Sequence, residues 1–322
     1  VMAMSRGLRV ASRGKLLQRS ARGLAGLASK EAVQRCVANY SVEVTPVAAS
    51  KVRCFSEVAG LNPGTVVNVT FLVGSNCEDT VNTCQRLQDA GMTAVAHVPA
   101  RSFKSLYDVE AYLERLKGVG VQELLVVGGG ADQPVGSLSE SMQILECGLL
   151  QKYGFSRVGV AAHPEGHPDV SSAVIEDAVL RKAEWAAANG VELYFETQFC
   201  FEPGPIIQWE RHIRSLLSQR LGPAAQIPAV RVGVAGPAKI HNLIKFATMS
   251  GVGPSVRFLT KYAKNVAKLA TTSAPDELIT GLAAHQSAEP SCITRHIHFY
   301  SFGGLTSTLH WANQVVAGNF EL

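Results

Sequence analysis

The stretch LYDVEAYLERLKGVGVQELLVVGGG, residues 106 to 130, decides the fold class. Its first half carries apolar residues at three- and four-residue spacing and ends near Gly118 and Gly120, as an amphipathic helix does. Its second half, ELLVVGGG (123–130), is a short apolar run closed by glycines, which reads as a buried strand leaving into a turn. The same pattern recurs on both sides. Strand-like runs stand at YSVEV (40–44), TVVNVTFLV (65–73), TAVAHV (93–98), RVGVAA (157–162), ELYFETQF (192–199), AVRVGVA (229–235) and HIHFYSF (296–302). Helical patterns such as DTVNTCQRLQDAGM and SESMQILECGLLQKYG lie between them. Strands alternating with helices predict parallel βαβ units. Eight such strands over roughly 280 residues predict a (β/α)8 TIM barrel, an α/β fold. A doubly wound open sheet is the alternative, but no GxGxxG opens a first helix. Residues 251 to 290 are a longer connection and read as an extra helical segment before the last strand.

The chain divides at about residue 35. Residues 1–35 form a basic N-terminal extension and 36–322 the barrel, with 36–39 as the junction. The first 30 residues hold seven Lys and Arg and no acid, so the formal charge of +4 belongs to this arm. The remainder carries 23 basic against 26 acidic residues, which gives no reason to expect nucleic acid as a partner. An Arg-rich, Ser-rich, acid-free start has the composition of a mitochondrial presequence, placing the protein on the matrix side. A basic tail that meets acidic partners is the other reading. No apolar run reaches the roughly 18 residues of a membrane span, so the protein is not expected to be transmembrane. The seven cysteines form no CxxC and no zinc spacing, and read as mostly buried thiols in a reducing compartment.

In a barrel of this kind the chemistry sits at the C-terminal ends of the strands. Those ends here carry Glu43 with Pro46, Thr70, His97 with Arg101, Gly128–Gly130 with Asp132, His163 with His167, Gln198, Ala235-Gly236-Pro237 and Phe302-Gly303-Gly304. Glu43, in an apolar strand, is either a general acid with a raised pKa or one side of a structural salt bridge. His163 and His167 are four apart, but Pro164 and Pro168 exclude the regular helix on which they would chelate a metal. No metal site is expected. The loop fits an anionic or ring ligand better. Gln198 either reads a heterocycle with its amide or bonds backbone. The glycines at 128 to 130 let backbone approach a ligand, or make a strand exit. No Ser-His-Asp set or phosphate loop is present, and His296, His298 and His310 go with barrel packing, as do the three tryptophans.

Eight segments in order carry a further likeness: SVEVTP (41–46), NVTF (68–71), AHV (96–98), GGGADQP (128–134), AAHPEGHP (161–168), ETQFCFE (196–202), GVAGPAK (233–239) and HFYSFGG (298–304). Together they resemble the methylenetetrahydrofolate reductase family, over residues 38 to 318, in its single-domain bacterial form. The resemblance implies a (β/α)8 barrel with FAD at the C-terminal face, NAD(P)H as reductant and a methylene-bearing pterin, a folate, as substrate. It makes Glu43 the general acid, Asp132 the aspartate beside flavin and pterin, and Gln198 the reader of the folate ring. It places Thr70, His97, Gly130, Asp132, His163, His167 and Lys182 along FAD. Departures accompany it. His163 stands where the family has Tyr, Gly129 where it has Arg, and Ile240 where an aromatic stacks on substrate. Gly303 and Gly304 occupy the place of an Arg, and Pro46 lacks a second Pro. Two settings stay open: a mitochondrial enzyme, homo-oligomeric or not, or a catalytically weak family member recruited as a subunit of a larger mitochondrial assembly such as a respiratory-chain complex.

Overall fold

The computed structural model describes residues 28–222, 225–262 and 269–321, so the presequence-like composition of the first 27 residues lies outside the described residues. Eight strands form a closed parallel barrel: β1 (Ser41–Val44), β2 (Val66–Val69), β3 (Thr93–Pro99), β4 (Glu123–Val127), β5 (Arg157–Ala162), β6 (Glu192–Thr197), β7 (Ala229–Ala235) and β8 (Thr294–Tyr300). β1 pairs with β8 through Ser41 opposite His298, which closes the ring. The expected barrel is therefore the observed fold, and the open sheet is set aside.

The helices around it are α1 (Lys30–Val37), α2 (Cys77–Asp89), α3 (Leu106–Gly118), α4 (Ser141–Leu145), α5 (Leu149–Lys152), α6 (Ser172–Asn189), α7 (Pro203–Leu221), α8 (Ile240–Met249), α9 (Gly253–Tyr262), α10 (Asp276–Ala288) and α11 (Leu305–Val316), with one further short helix, Pro46–Ala49, directly after β1. The helix read across 139–154 is broken into α4 and α5 at Gly148, whose φ of +79° no helix accommodates. The strand read across 65–73 stops at Val69. Leu72 and Val73 beyond it are 51% and 62% exposed on the loop. The boundary at residue 35 also moves. α1 starts at Lys30, capped by the Ser29 hydroxyl accepting from the Ala32 N–H at 3.2 Å, and buries Ala32, Val33, Cys36 and Val37. It packs against α10 and α11 beside β8, so residues 30–35 belong to the body rather than to the arm.

Strand parity sorts the side chains. Val42, Val44, Val67 and Val69 are fully or nearly buried and join the shell of core between strands and helices. Ser41, Glu43, Asn68 and Thr70, the alternate set, face the lumen. All three tryptophans lie on helices against this shell, as expected: Trp185 on α6, Trp209 on α7 and Trp311 on α11. His310 does not join the packing; it is exposed on α11. All seven cysteines are free, and Cys36, Cys84, Cys200 and Cys292 are buried. A second apolar cluster lies above the strand ends, where Phe199 and Leu243 meet α8 and α9 and the Phe246 and Phe302 rings stack at 4.2 Å. No helix among the described residues is long and apolar enough to cross a membrane.

Candidate active site

The lumen is polar, where barrels of this class are filled mainly by branched apolar residues. Asn68 on β2 donates from Nδ2 to Glu196 Oε1 on β6 at 2.8 Å. These strands are opposite in the ring, so the bond spans the barrel. Around it, His97 Nε2 lies 3.8 Å from Glu43 Oε2, and His298 Nδ1 lies 3.8 Å from Glu196 Oε2. The Ser41 hydroxyl and His298 Nδ1 are hydrogen-bonded at 2.8 Å. A lower tier, at the N-terminal ends of the strands, joins Glu123 to Arg231 at 2.6 Å and to Arg157 at 3.3 Å. The Arg231 guanidinium also lies 3.7 Å from the centre of the Tyr194 ring. Gly159 makes room for that ring, because a Cβ there would enter it.

Burial sets the protonation of the upper tier. The Glu43 carboxyl is pushed up to about 8, first by desolvation and then by the Glu196 carboxylate. It keeps 15% of its side chain exposed, so it remains reachable from the barrel mouth. His97 is pushed down to about 4 by desolvation, against the pull of Glu196, and His298 to about 3 by desolvation and then Arg231. Both imidazoles are neutral at pH 7. Glu196 itself is raised by desolvation, with Arg231, His97 and the Asn68 bond opposing. Tyr300, its hydroxyl donating to the Thr197 carbonyl at 3.2 Å, is held far above the usual phenol range by burial. Of the two alternatives for Glu43, no guanidinium or ammonium pairs with it among the described residues; it has the environment of an acid that stays protonated at neutral pH.

The other residues expected from the sequence occupy the rim. The Thr70 hydroxyl is buried and has no hydrogen-bond partner. Gly130 is exposed, and a Cβ there would meet nothing within 4 Å. Its neighbour Gly129 has a φ of +95° and lies where a Cβ would press on Pro99 at 2.9 Å, so the exit from β4 demands glycine. Asp132 is exposed, with its backbone carbonyl accepting from Arg101 Nη2 at 2.8 Å. Gln198 turns its amide oxygen back onto the Phe199 N–H at 3.0 Å, the backbone bond that was one of its two readings. His163 and His167 meet edge to face at 5.3 Å. The His163 ring lines a cavity of about 410 Å³ with Glu176, Trp209 and His212, between the loop after β5 and α7, and burial lowers its pKa to about 4. Lys182 is buried along α6, its amine lowered to about 8 by desolvation although Glu140 opposes this. Thus Glu43 and His97 come together in the lumen, while His163, His167 and Lys182 belong to its β5–α6 side.

Sequence reasoning missed Asn68 and Glu196 and assigned His298 to packing. Their signal was parity: Glu196 is two residues from Gln198, and Asn68 two from Thr70, so each shares the inward face of its strand. A second cavity of about 290 Å³ lies above β6 and β7, lined by Phe201, Ile240, Leu243 and Leu259. Ile240, the position without the expected aromatic, is there. One other cluster brings potential metal ligands together among the described residues: Glu210, His285 and Cys292. Its carboxylate is already taken by Arg214 at 2.8 Å, the Ile293 N–H at 3.0 Å and His285 at 3.2 Å. It is a satisfied ion-pair hub between α7 and α10.

The chain is similar to "Methylenetetrahydrofolate reductase 2" of Schizosaccharomyces pombe, 25% identical over 206 residues, 60% of this chain and 30% of that protein. It therefore spans about a third of the length of the curated relative it matches. Among solved structures it is similar to a dihydropteroate synthase from Thermus thermophilus, 14% identical over 87% of this chain and 95% of that one, with a TM-score of 0.43. It is also similar to a phosphoenolpyruvate phosphomutase from Streptomyces platensis subsp. rosaceus, 13% identical over 93% and 84%, with a TM-score of 0.40. The family model described as methylenetetrahydrofolate reductase matches residues 30–252, most of the barrel, and the chain belongs to that family.

Proposed function

We propose that this chain is an FAD-dependent oxidoreductase that takes hydride from NAD(P)H and delivers it to a methylene-bridged pterin, in one-carbon metabolism of the mitochondrial matrix. The observation that carries this reading is Glu43: a carboxyl with no cationic partner, raised to about 8, at the open end of a polar lumen. The rim suits a flavin. The buried, partnerless Thr70 hydroxyl and the open backbone at Gly130 are the features a bound ring and its phosphates use. Thr70, His97, Gly130, His163 and His167 would hold FAD, with Asp132 beside it, and the family resemblance adds Lys182. FAD, when bound, supplies the hydride step between nicotinamide and substrate.

The chain's own residues handle the proton. Glu43 gives its proton to one nitrogen of the methylene bridge; that C–N bond opens to an iminium and the carboxylate is left behind. His97, neutral and 3.8 Å away, does not compete for this proton. Gln198 orients the pterin once its amide turns from the Phe199 N–H. The test is Glu43→Gln. Substrate reduction is expected to fall by about 10²- to 10⁴-fold, while NAD(P)H still bleaches the flavin absorbance. Persistence of both half-reactions would refute the acid role of Glu43.

A second reading is favoured by the rim itself. Val47, on the short helix that follows β1, and Leu72, Val73 and Val135, on the loops after β2 and β4, are between 51% and 69% exposed. Large apolar side chains around the mouth suit a partner protein, in keeping with an accessory subunit of a larger mitochondrial assembly. A colourless protein that leaves its native source only inside a high-mass particle would favour this reading over the first.

A further inference from the structure

Glu196 has no place in the proton step at Glu43, yet it is one of the most deeply buried carboxyls in the chain, at 3% residue exposure. Burying a carboxyl costs several kcal/mol unless something compensates. Its compensation is uneven. Oε1 accepts from Asn68 Nδ2 at 2.8 Å, whereas Oε2 is buried without a hydrogen bond, 3.8 Å from His298 Nδ1. That imidazole nitrogen is already bonded to Ser41 at 2.8 Å, and the Nε2 atoms of His97 and His298 are likewise buried without partners.

We infer that Glu196 is a positioning residue for the Glu43 proton: a second carboxyl in the same lumen, anchored by Asn68, the residue directly across from Glu43 in the β1–β2 pairing, whose charge adds to burial in keeping Glu43 protonated. The inference rests on the reading of Glu43 as the acid. The groups facing the pair are Glu123 from β4, Tyr194 from β6, Arg231 from β7, His298 and Tyr300 from β8, and His97 from β3. Among them Arg231 is the one permanent cation, and it is committed to Glu123 and the Tyr194 ring. The imidazoles are neutral and Tyr300 is not an acid at any relevant pH.

Two carboxyls that share such a space cannot both ionise cheaply, and they titrate as a pair. The donors decide which one keeps the proton. Glu196 has the Asn68 N–H and the field of Arg231, both of which favour its anion; Glu43 has only a neutral ring at 3.8 Å. The shared proton therefore sits on Glu43, the carboxyl nearer solvent. The buried pair works as an acid with its proton on the accessible side.

The experiment follows the carboxyl signals of ¹³C-glutamate-labelled full-length protein by NMR across pH 5 to 10, with Glu43→Gln identifying the Glu43 resonance by its loss. In Glu196→Gln the Glu43 midpoint is expected to fall by about one pH unit or more, while Glu196→Asp, which keeps the charge, retains the original midpoint. Asn68→Ala provides a second route that leaves both carboxyls in place. Withdrawing the donor moves the proton toward Glu196, so the Glu43 midpoint again falls. An unmoved midpoint in Glu196→Gln, or in Asn68→Ala should the first not fold, would overturn the inference. In turnover, the alkaline loss of substrate reduction should shift to lower pH in Glu196→Gln by the same interval. A shifted midpoint together with full turnover by Glu43→Gln would leave the coupling standing and remove the acid role instead.

Discussion

Gly130, just past β4, and Gly233, inside β7, look equivalent as letters, and the structure separates them. A Cβ on Gly130 meets open space, whereas one on Gly233 enters the Thr197 carbonyl oxygen and comes within 2.8 Å of the Tyr300 ring. Carbonyl backbone cannot swing aside, so Gly233→Ala must distort β6 against β7. Overpacking of this kind costs about 1–3 kcal/mol, and urea unfolding should show that loss. Gly130→Ala should stay within about 0.5 kcal/mol of the parent yet weaken flavin binding, because its backbone is where the cofactor is proposed to approach. The reverse pattern, a fragile Gly130→Ala beside a neutral Gly233→Ala, would contradict both assignments. At this scale the sequence was half legible. Glu43 stood out because a carboxylate interrupts a run of valines, whereas Glu196 passed unnoticed between Phe195 and Thr197 because its partner Asn68 is 128 residues away.

Among the elements, α1 is the one whose character the sequence concealed. Its residues Lys30 to Val37 continue a basic arm in composition, and only the Ser29 cap and the buried face of Ala32, Val33, Cys36 and Val37 separate them from it. The helix is tied down along its length and just beyond it. Gln34 Nε2 donates to the Val316 carbonyl at 2.9 Å, and just after the helix the Tyr40 hydroxyl donates to Asn313 Oδ1 at 2.9 Å. Ser29→Ala should cost about 1 kcal/mol through the lost cap. Tyr40→Phe should cost a similar amount, about 1 kcal/mol, by removing one hydrogen bond. The two should add, since they act on opposite ends. Denaturant midpoints for the single and double variants check this; two silent substitutions would mean that α1 is not part of the cooperative body. The strands were easier to read than this helix. Their boundaries drifted only where an apolar run continues past the last ladder bond, as at Leu72 and Val73.

The whole barrel was legible because each βα unit repeats its own punctuation, while the lumen was not, since its contacts join opposite strands that no local pattern connects. That lumen gives the molecule a pH signature. His97, His163 and His298 have folded pKa values of about 4, 4 and 3 against an ordinary 6.5, so between those values the unfolded chain binds more protons than the native one. Stability then rises with pH up to about 6.5. Glu43 works in the opposite sense: its folded value of about 8 exceeds the ordinary 4.5, so the native state holds the extra proton and loses stability as pH rises through 8. Glu196 is also raised and adds to this loss. His285, raised to about 9 beside Cys292 and Glu210 despite desolvation, contributes stability that is present below 6.5 and lost as pH rises through 9. Between 4.5 and 6.5 the lowered histidines, His296 being a fourth, outnumber the raised carboxyls Glu43, Glu196 and Glu165; above 6.5 the histidines no longer count and the carboxyls and His285 dominate. Unfolding free energy is therefore expected to peak near pH 6.5 and to fall by about 1.4 kcal/mol per pH unit for each unmatched proton toward pH 8. Glu43→Gln should make that alkaline limb shallower, with Glu196 and His285 keeping part of it, and should steepen the rise below 6.5, where Glu43 no longer opposes the histidines. Urea titrations at pH 5, 6.5 and 8 decide it, and stability that still climbs from 6.5 to 8 in the parent chain would show that the lumen does not hold its proton on Glu43.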